Sequence, residues 1–170
     1  MSSTVTYGIP SPSSSAEGIR WSKEVHYCTT YDAASGTAIV VGDLVLIEWN
    51  ASTSKFDKCK RHAAATVANT APGLIYGIAM DASASDTKVI KLQVRGIVQA
   101  SCEAVVGNNK TLAPSLSNTG RLEEFGGVPA STGAARSKVI AISMGNPAGA
   151  GLLANVLFDG ISGFSAATSA

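Results

Sequence analysis

GIAMDASASDTKVIKLQVRG, residues 77–96, decides how the chain is read. Ile90, Leu92 and Val94 fall on one face of an extended segment and Lys91, Gln93 and Arg95 on the other, the two-residue period of a strand buried on one side. The apolar residues before Asp81 and the small, polar turn residues up to Lys88 complete a strand, turn, strand pattern. A related stretch follows 64 positions on. AISMGNPAGAGLLANVLFDG, residues 141–160, aligns without a gap and sets Ile78 over Ile142, Met80 over Met144, Ala84 over Ala148 and Gly96 over Gly160.

The correspondence extends upstream. Val40-Val41-Gly42-Asp43 lies over Val105-Val106-Gly107-Asn108, and residues 51–57 lie over 117–123, with Thr53 on Thr119, Lys55 on Arg121 and Asp57 on Glu123. Residues 34–98 and 99–160 therefore predict two copies of one β unit; chance alignment in a chain rich in Ala, Ser and Gly is the alternative. A unit of roughly 60 residues buries too small a fraction of its surface to be stable alone, and fusing two removes that difficulty.

The flanks divide the remainder. Residues 1–20 hold Pro10, Pro12 and a Ser13-Ser14-Ser15 run and read as an extended N-terminal arm, residues 21–160 as the β domain, and residues 161–170 as a surface-laid tail. Tyr7, Ile9, Ile19 and Trp21 leave two readings of the arm open, a solvated terminus or a segment that orders on a neighbouring subunit. From Trp21 onward Val25, Tyr27 and Thr29 alternate with His26, Cys28 and Thr30, and Tyr31 extends the β-prone composition. Leu44 and Leu46 face one way and Val45, Ile47 and Trp49 the other, as in a central strand covered on both sides. Lys55–Arg61, KFDKCKR, reads as a charged strand at a protected edge. Further strands are expected near 121–125, 138–144 and 152–158, with residues 107–120 as turn and loop. No segment carries a helical apolar stripe. The fold class is all-β, a β-sandwich or a partly open β-barrel.

Charge and chemistry narrow the function. Charged residues make up 15% and the net charge is +1, so no basic field exists to hold nucleic acid. The longest apolar run, from Ala38 to Trp49, is interrupted by Asp43 and Glu48 and is too short for a membrane span. Three cysteines suit reduced thiols made in a cytoplasm. His26, Cys28, Cys59 and His62 are the best candidate metal ligands, against the plainer reading of buried thiols and surface imidazoles. No nucleophile elbow, catalytic triad or phosphate-binding loop is present in the sequence, so no enzyme and no cofactor is expected. A low-charge surface of small residues is poorly protected against association and suits a chain that is covered by other protein.

Three motifs, VVGDLVLI (40–47), LIYGIAM (74–80) and VIKLQVRGIV (89–98), resemble in their order the β-barrel-like capsid cement, or head decoration, proteins of tailed bacteriophages. The resemblance implies a structural protein on the outer capsid surface of the virion, a homotrimer whose partner is the major capsid protein and whose arm clamps shell subunits. It points to Tyr7, Ile9, Ile19, Trp21, Tyr27 and Tyr31 as interface residues. A receptor- or carbohydrate-binding β module, such as a head-fibre component, is the alternative.

Overall fold

The strands form where apolar residues alternate or run unbroken between Gly, Asn, Asp and Ser turns. In the computed structural model, which describes residues 22–33, 37–63, 74–103, 106–125, 139–145 and 151–162, they are β1 (Glu24–Thr30), β2 (Leu44–Asn50), β3 (Lys55–Arg61), β4 (Ile75–Ala79), β5 (Val89–Ser101), β6 (Thr111–Pro114), β7 (Leu122–Glu124), β8 (Ala141–Ser143) and β9 (Leu153–Asp159). There is no helix among the described residues.

The first five strands close on themselves in the order β1-β3-β2-β4-β5, with β5 pairing back to β1. The barrel is mixed, since β1 and β3 run parallel (Thr29 opposite Lys58, Thr30 opposite Cys59) while the other pairs are antiparallel. All-β is therefore correct, and closure selects a barrel over a sandwich. Closure also moves β3. Its lysines suggested an edge, yet it lies between β1 and β2, with Cys59 fully buried in the barrel.

A five-stranded barrel is narrow, because diameter grows with strand number. Its interior is filled by Val45, Ile47, Ile90, Leu92 and Val94, with the small Cys28, Cys59 and Ala79 between them. Gly77 belongs to this economy of space: a Cβ there would stand 3.0 Å from Leu92 Cβ. Ile39 joins the same core and is held by paired backbone bonds to Ser83.

The four remaining strands grow from the far end of β5. That strand is 13 residues long; its first part walls the barrel, and the part from Arg95 to Ser101 pairs with β9. Gly96, at φ 102°, marks the passage, and a side chain there would press on Ser22 O at 3.0 Å and Lys23 Cα at 3.1 Å. The sheet continues β9-β8-β6-β7, and β7 returns to the end of β5 through a parallel bridge between Leu122 and Cys102. β6 falls within the stretch expected as turn and loop, since a four-residue strand ending in Pro114 carries almost no periodic signal.

A second core lies between this layer and the outer side of the barrel. Leu44, Leu46, Tyr76 and Ile78 contribute to it from β2 and β4, facing Leu112, Leu122, Ile140, Val156 and Phe158. β2 is thus covered on both faces, as its unbroken apolar run required. The pairings β3-β2-β4-β5 recur as β7-β6-β8-β9, all antiparallel, and β5 and β9 start 64 positions apart.

Candidate functional site

The barrel's outer wall holds the expected contact residues that lie among those described. β1 places Tyr27 outward and 61% exposed, because Cys28 beside it faces the core. On β3, at the same level, the Phe56 carbonyl accepts a hydrogen bond from His26 Nε2 at 2.7 Å, and Cys28 Sγ lies 3.9 Å from it. The Phe56 ring is exposed and meets Trp49 of β2 edge-on, with centroids 5.3 Å apart. A bulge at Glu48/Trp49 shifts the β2–β3 register there, so Trp49 does not join Val45 and Ile47 inside.

Tyr31 has a different setting. Its hydroxyl donates to Glu48, Glu48 is paired with Lys60 at 3.0 Å, and the Lys58 ammonium lies 4.7 Å from the ring centroid. Burial and then the bond to Glu48 push the Tyr31 phenol up to about 12. Burial opposes ionisation of Glu48, but Tyr31 and Lys60 together hold its carboxyl below the usual range. Tyr31 is therefore engaged within the chain by Glu48, while Tyr27 stands exposed on the wall. Tyr7, Ile9, Ile19 and Trp21 lie outside the described residues.

The four candidate metal ligands separate. Cys28 and Cys59 meet inside the barrel, both buried, and the hydrogen bond to Cys28, followed by burial, raises the Cys59 thiol far above its ordinary value. His26 sits on the exposed side, bonded to Phe56. His62 is buried in the other core region, its Nε2 donating to Ser115 O at 3.0 Å and its ring edge-on to Tyr76. The three-residue spacing sets the Cys59 and His62 side chains on opposite sides of the chain, and His26 is bonded to Phe56 O on the exposed side, so the H-x-C and C-x-x-H ligands do not converge. Among the described residues no three His, Cys, Asp or Glu side chains gather as metal ligands do.

An ion pair between Asp43, just before β2, and Arg61, at the end of β3, lies where the second layer approaches the barrel. Asp43, 1% exposed, accepts from Val40 N at 2.9 Å and, at Oδ1, from Arg61 Nη2 at 3.2 Å, while Arg61 Nε lies 2.8 Å from Oδ2 in ion-pair contact. Burial pushes the Asp43 carboxyl upward against the pull of that backbone bond and of Arg61. The turn residue Gly120 packs against this pair: a Cβ would stand 2.6 Å from Arg61 Nε and 2.9 Å from Asp43 Oδ1. The Asp43 carboxylate is thus taken up by Val40 N and Arg61 and enclosed beside Gly120. Sequence reasoning missed the exposed Trp49–Phe56 pair; an aromatic inside a run of lysines, KFDKCK, was the available signal.

No protein family's sequence profile matches the chain, and no curated protein matches it in sequence. In fold, the chain is similar to the crystal structure of the head fiber gp8.5 N base in bacteriophage phi29, with a TM-score of 0.50 and 12% sequence identity over 85% of this chain and 100% of that one.

Proposed function

We propose that this chain is a structural protein of a phage virion, attached to the capsid and serving as the base of a head fibre. The observation that carries the reading is the shared fold, which spans the whole of a head-fibre base and most of this chain. It favours the fibre reading over the cement reading that the sequence motifs suggest. The closed barrel suits a mount, because a sheet without open edges resists both fraying and adventitious strand pairing.

In this reading the chain works as a homotrimer bound to the major capsid protein. Tyr27 on the barrel wall and Tyr7, Ile9, Ile19 and Trp21 of the N-terminal segment make the capsid contacts, with Tyr31 as their support. Aromatic and aliphatic anchors supply most of the energy in such contacts, and three copies acting together give avidity from modest single interfaces. With a net charge of +1, attachment relies on apolar burial and not on a charged field.

The test is copy number in purified particles, measured against the most abundant shell protein before and after a high-salt wash. The fibre-base reading expects a small fraction of the shell protein's copies, retained through the wash. A ratio near one to one would restore the cement reading, and absence from particles would end the virion reading altogether.

A further inference from the structure

We infer that the outer face of β5, β9 and β8 is the surface through which copies of this chain bind one another. The inference rests on the homotrimer in the reading above and names the face that builds it.

Register lays out the face. Ile97 of β5 is opposite Leu157 of β9, which is opposite Ile142 of β8, so three aliphatic side chains cross the sheet in one row. Beside that row Gln99 is opposite Asn155, and Met144 N donates to Asn155 O. These side chains point outward because their neighbours Val98, Ala100, Ala141, Ser143, Ala154, Val156 and Phe158 turn inward, most of them into the second core. Ile97 is 48% and Met144 51% exposed, and Leu153 at the end of β9 adds a further exposed aliphatic.

From the Ile97–Leu157–Ile142 row to Gln99, Asn155, Met144 and Leu153, the outward residues of this face carry no charge. At its margin Arg95 and Asp159 are opposite one another, and Arg95 bonds to Asp159 at 3.5 Å and to Glu24 at 3.3 Å, so those charges are matched within the subunit. The barrel wall is unlike it, with Lys58, Lys60, Glu48 and Lys91 around its aromatic groups. Uncharged aliphatic rows left in water are costly, and a contiguous one marks an interaction surface.

Charge also selects the occupant. If the face lies along a three-fold axis, the residues nearest that axis meet their own copies, so an ionised group there faces its like. A face of aliphatic groups and amides escapes that repulsion, and Gln99 and Asn155, each donor and acceptor, can pair with themselves. A different protein would gain register and encounter rate from complementary charge, which this face does not offer.

The experiment measures the mass of the full chain in solution by sedimentation and light scattering at micromolar concentration. Wild type is expected to be a trimer that high salt does not dissociate. Ile97→Lys and Met144→Lys, at exposed positions, are each expected to weaken association by about tenfold or more while circular dichroism and melting stay as in wild type. Val89→Lys, on the barrel wall, is expected to leave the trimer intact. Should either lysine variant misfold, amide exchange on wild type decides instead, with concentration-dependent protection expected in residues 141–144 and 153–157. A monomeric wild type, a trimer unaffected by both substitutions, or protection confined to β1 and β3 would overturn the inference. A monomer that still rides on particles would overturn this face and leave the virion reading standing; a trimer broken by Ile97→Lys but absent from particles would do the reverse.

Discussion

At residue 62 a histidine ring is enclosed where barrel and second layer meet. Its backbone bonds Leu44 and Gly120, its Nε2–H bonds Ser115 O, and its Nδ1 has no hydrogen-bond partner among the described residues. Burial, opposed by the bond to Ser115, lowers its pKa below the ordinary 6.5. The sign of the pH effect follows. Above that ordinary value both folded and unfolded states are neutral and stability is full. As pH falls below it, the unfolded chain takes up a proton before the folded one, and stability declines until the folded value is passed. Denaturant midpoints measured at pH 7.5 and pH 5 should therefore fall, and His62→Phe should remove His62's part of that fall. The same substitution should cost about 1–3 kcal/mol at neutral pH by leaving the Ser115 carbonyl unpaired. An unchanged pH dependence in the variant would show that His62 is not the responsible group. The sequence listed His62 as a candidate ligand; its burial depends on Ser115, 53 positions away.

Among the elements, β5 organises both layers, and the glycines at and after its turning point are where backbone must touch backbone. Gly160, which follows β9, accepts from Tyr76 N at 3.0 Å and donates to Val94 O at 3.0 Å. A Cβ at Gly160 would stand 2.0 Å from Tyr76 O and 2.7 Å from Tyr76 C, atoms of β4 that cannot move aside. Gly160→Ala should therefore cost about 3 kcal/mol or more, as overpacking against backbone does. Gly107→Ala is the control: its Cβ would meet only Lys110 side-chain atoms, at 3.5 and 3.6 Å, so its cost should stay within about 0.5 kcal/mol. Equal melting points for the two variants would contradict the close approach of β4 and the β9 turn. The alignment of Gly96 with Gly160 singled out both positions, but gave different reasons no visibility: one has a positive φ and the other a close contact.

For the whole molecule, the described β domain begins with β1 at Glu24. Deleting residues 1–20 should leave the melting midpoint within a few degrees of wild type while weakening association with particles; the two readouts are calorimetry and co-sedimentation. Undiminished particle binding would remove Tyr7, Ile9 and Ile19 from the contact set. Duplication of a β unit is our proposal for the origin of the recurring strand order. Superposing β2–β5 on β6–β9 tests it, and a fit that failed to match the four strands in order would remove it.

Local chemistry was enough to read the class and most strands. Period-two alternation placed Ile90, Leu92 and Val94 on one buried face, the unbroken run at 44–47 required cover on both sides, and KFDKCKR marked β3 to the residue. The same chemistry misplaced β3 at an edge, put Gln93 on a solvent face although it is buried and bonded to Arg95 O and Ile97 O, and passed over β6. Those features depend on partners distant in sequence: the return of β5 to β1, the packing of the second layer on β2 and β4, and the uncharged row shared by three strands. A strand's period tells which residues share a face. Only closure of the barrel decides whether that face meets a core, a neighbouring layer or another molecule.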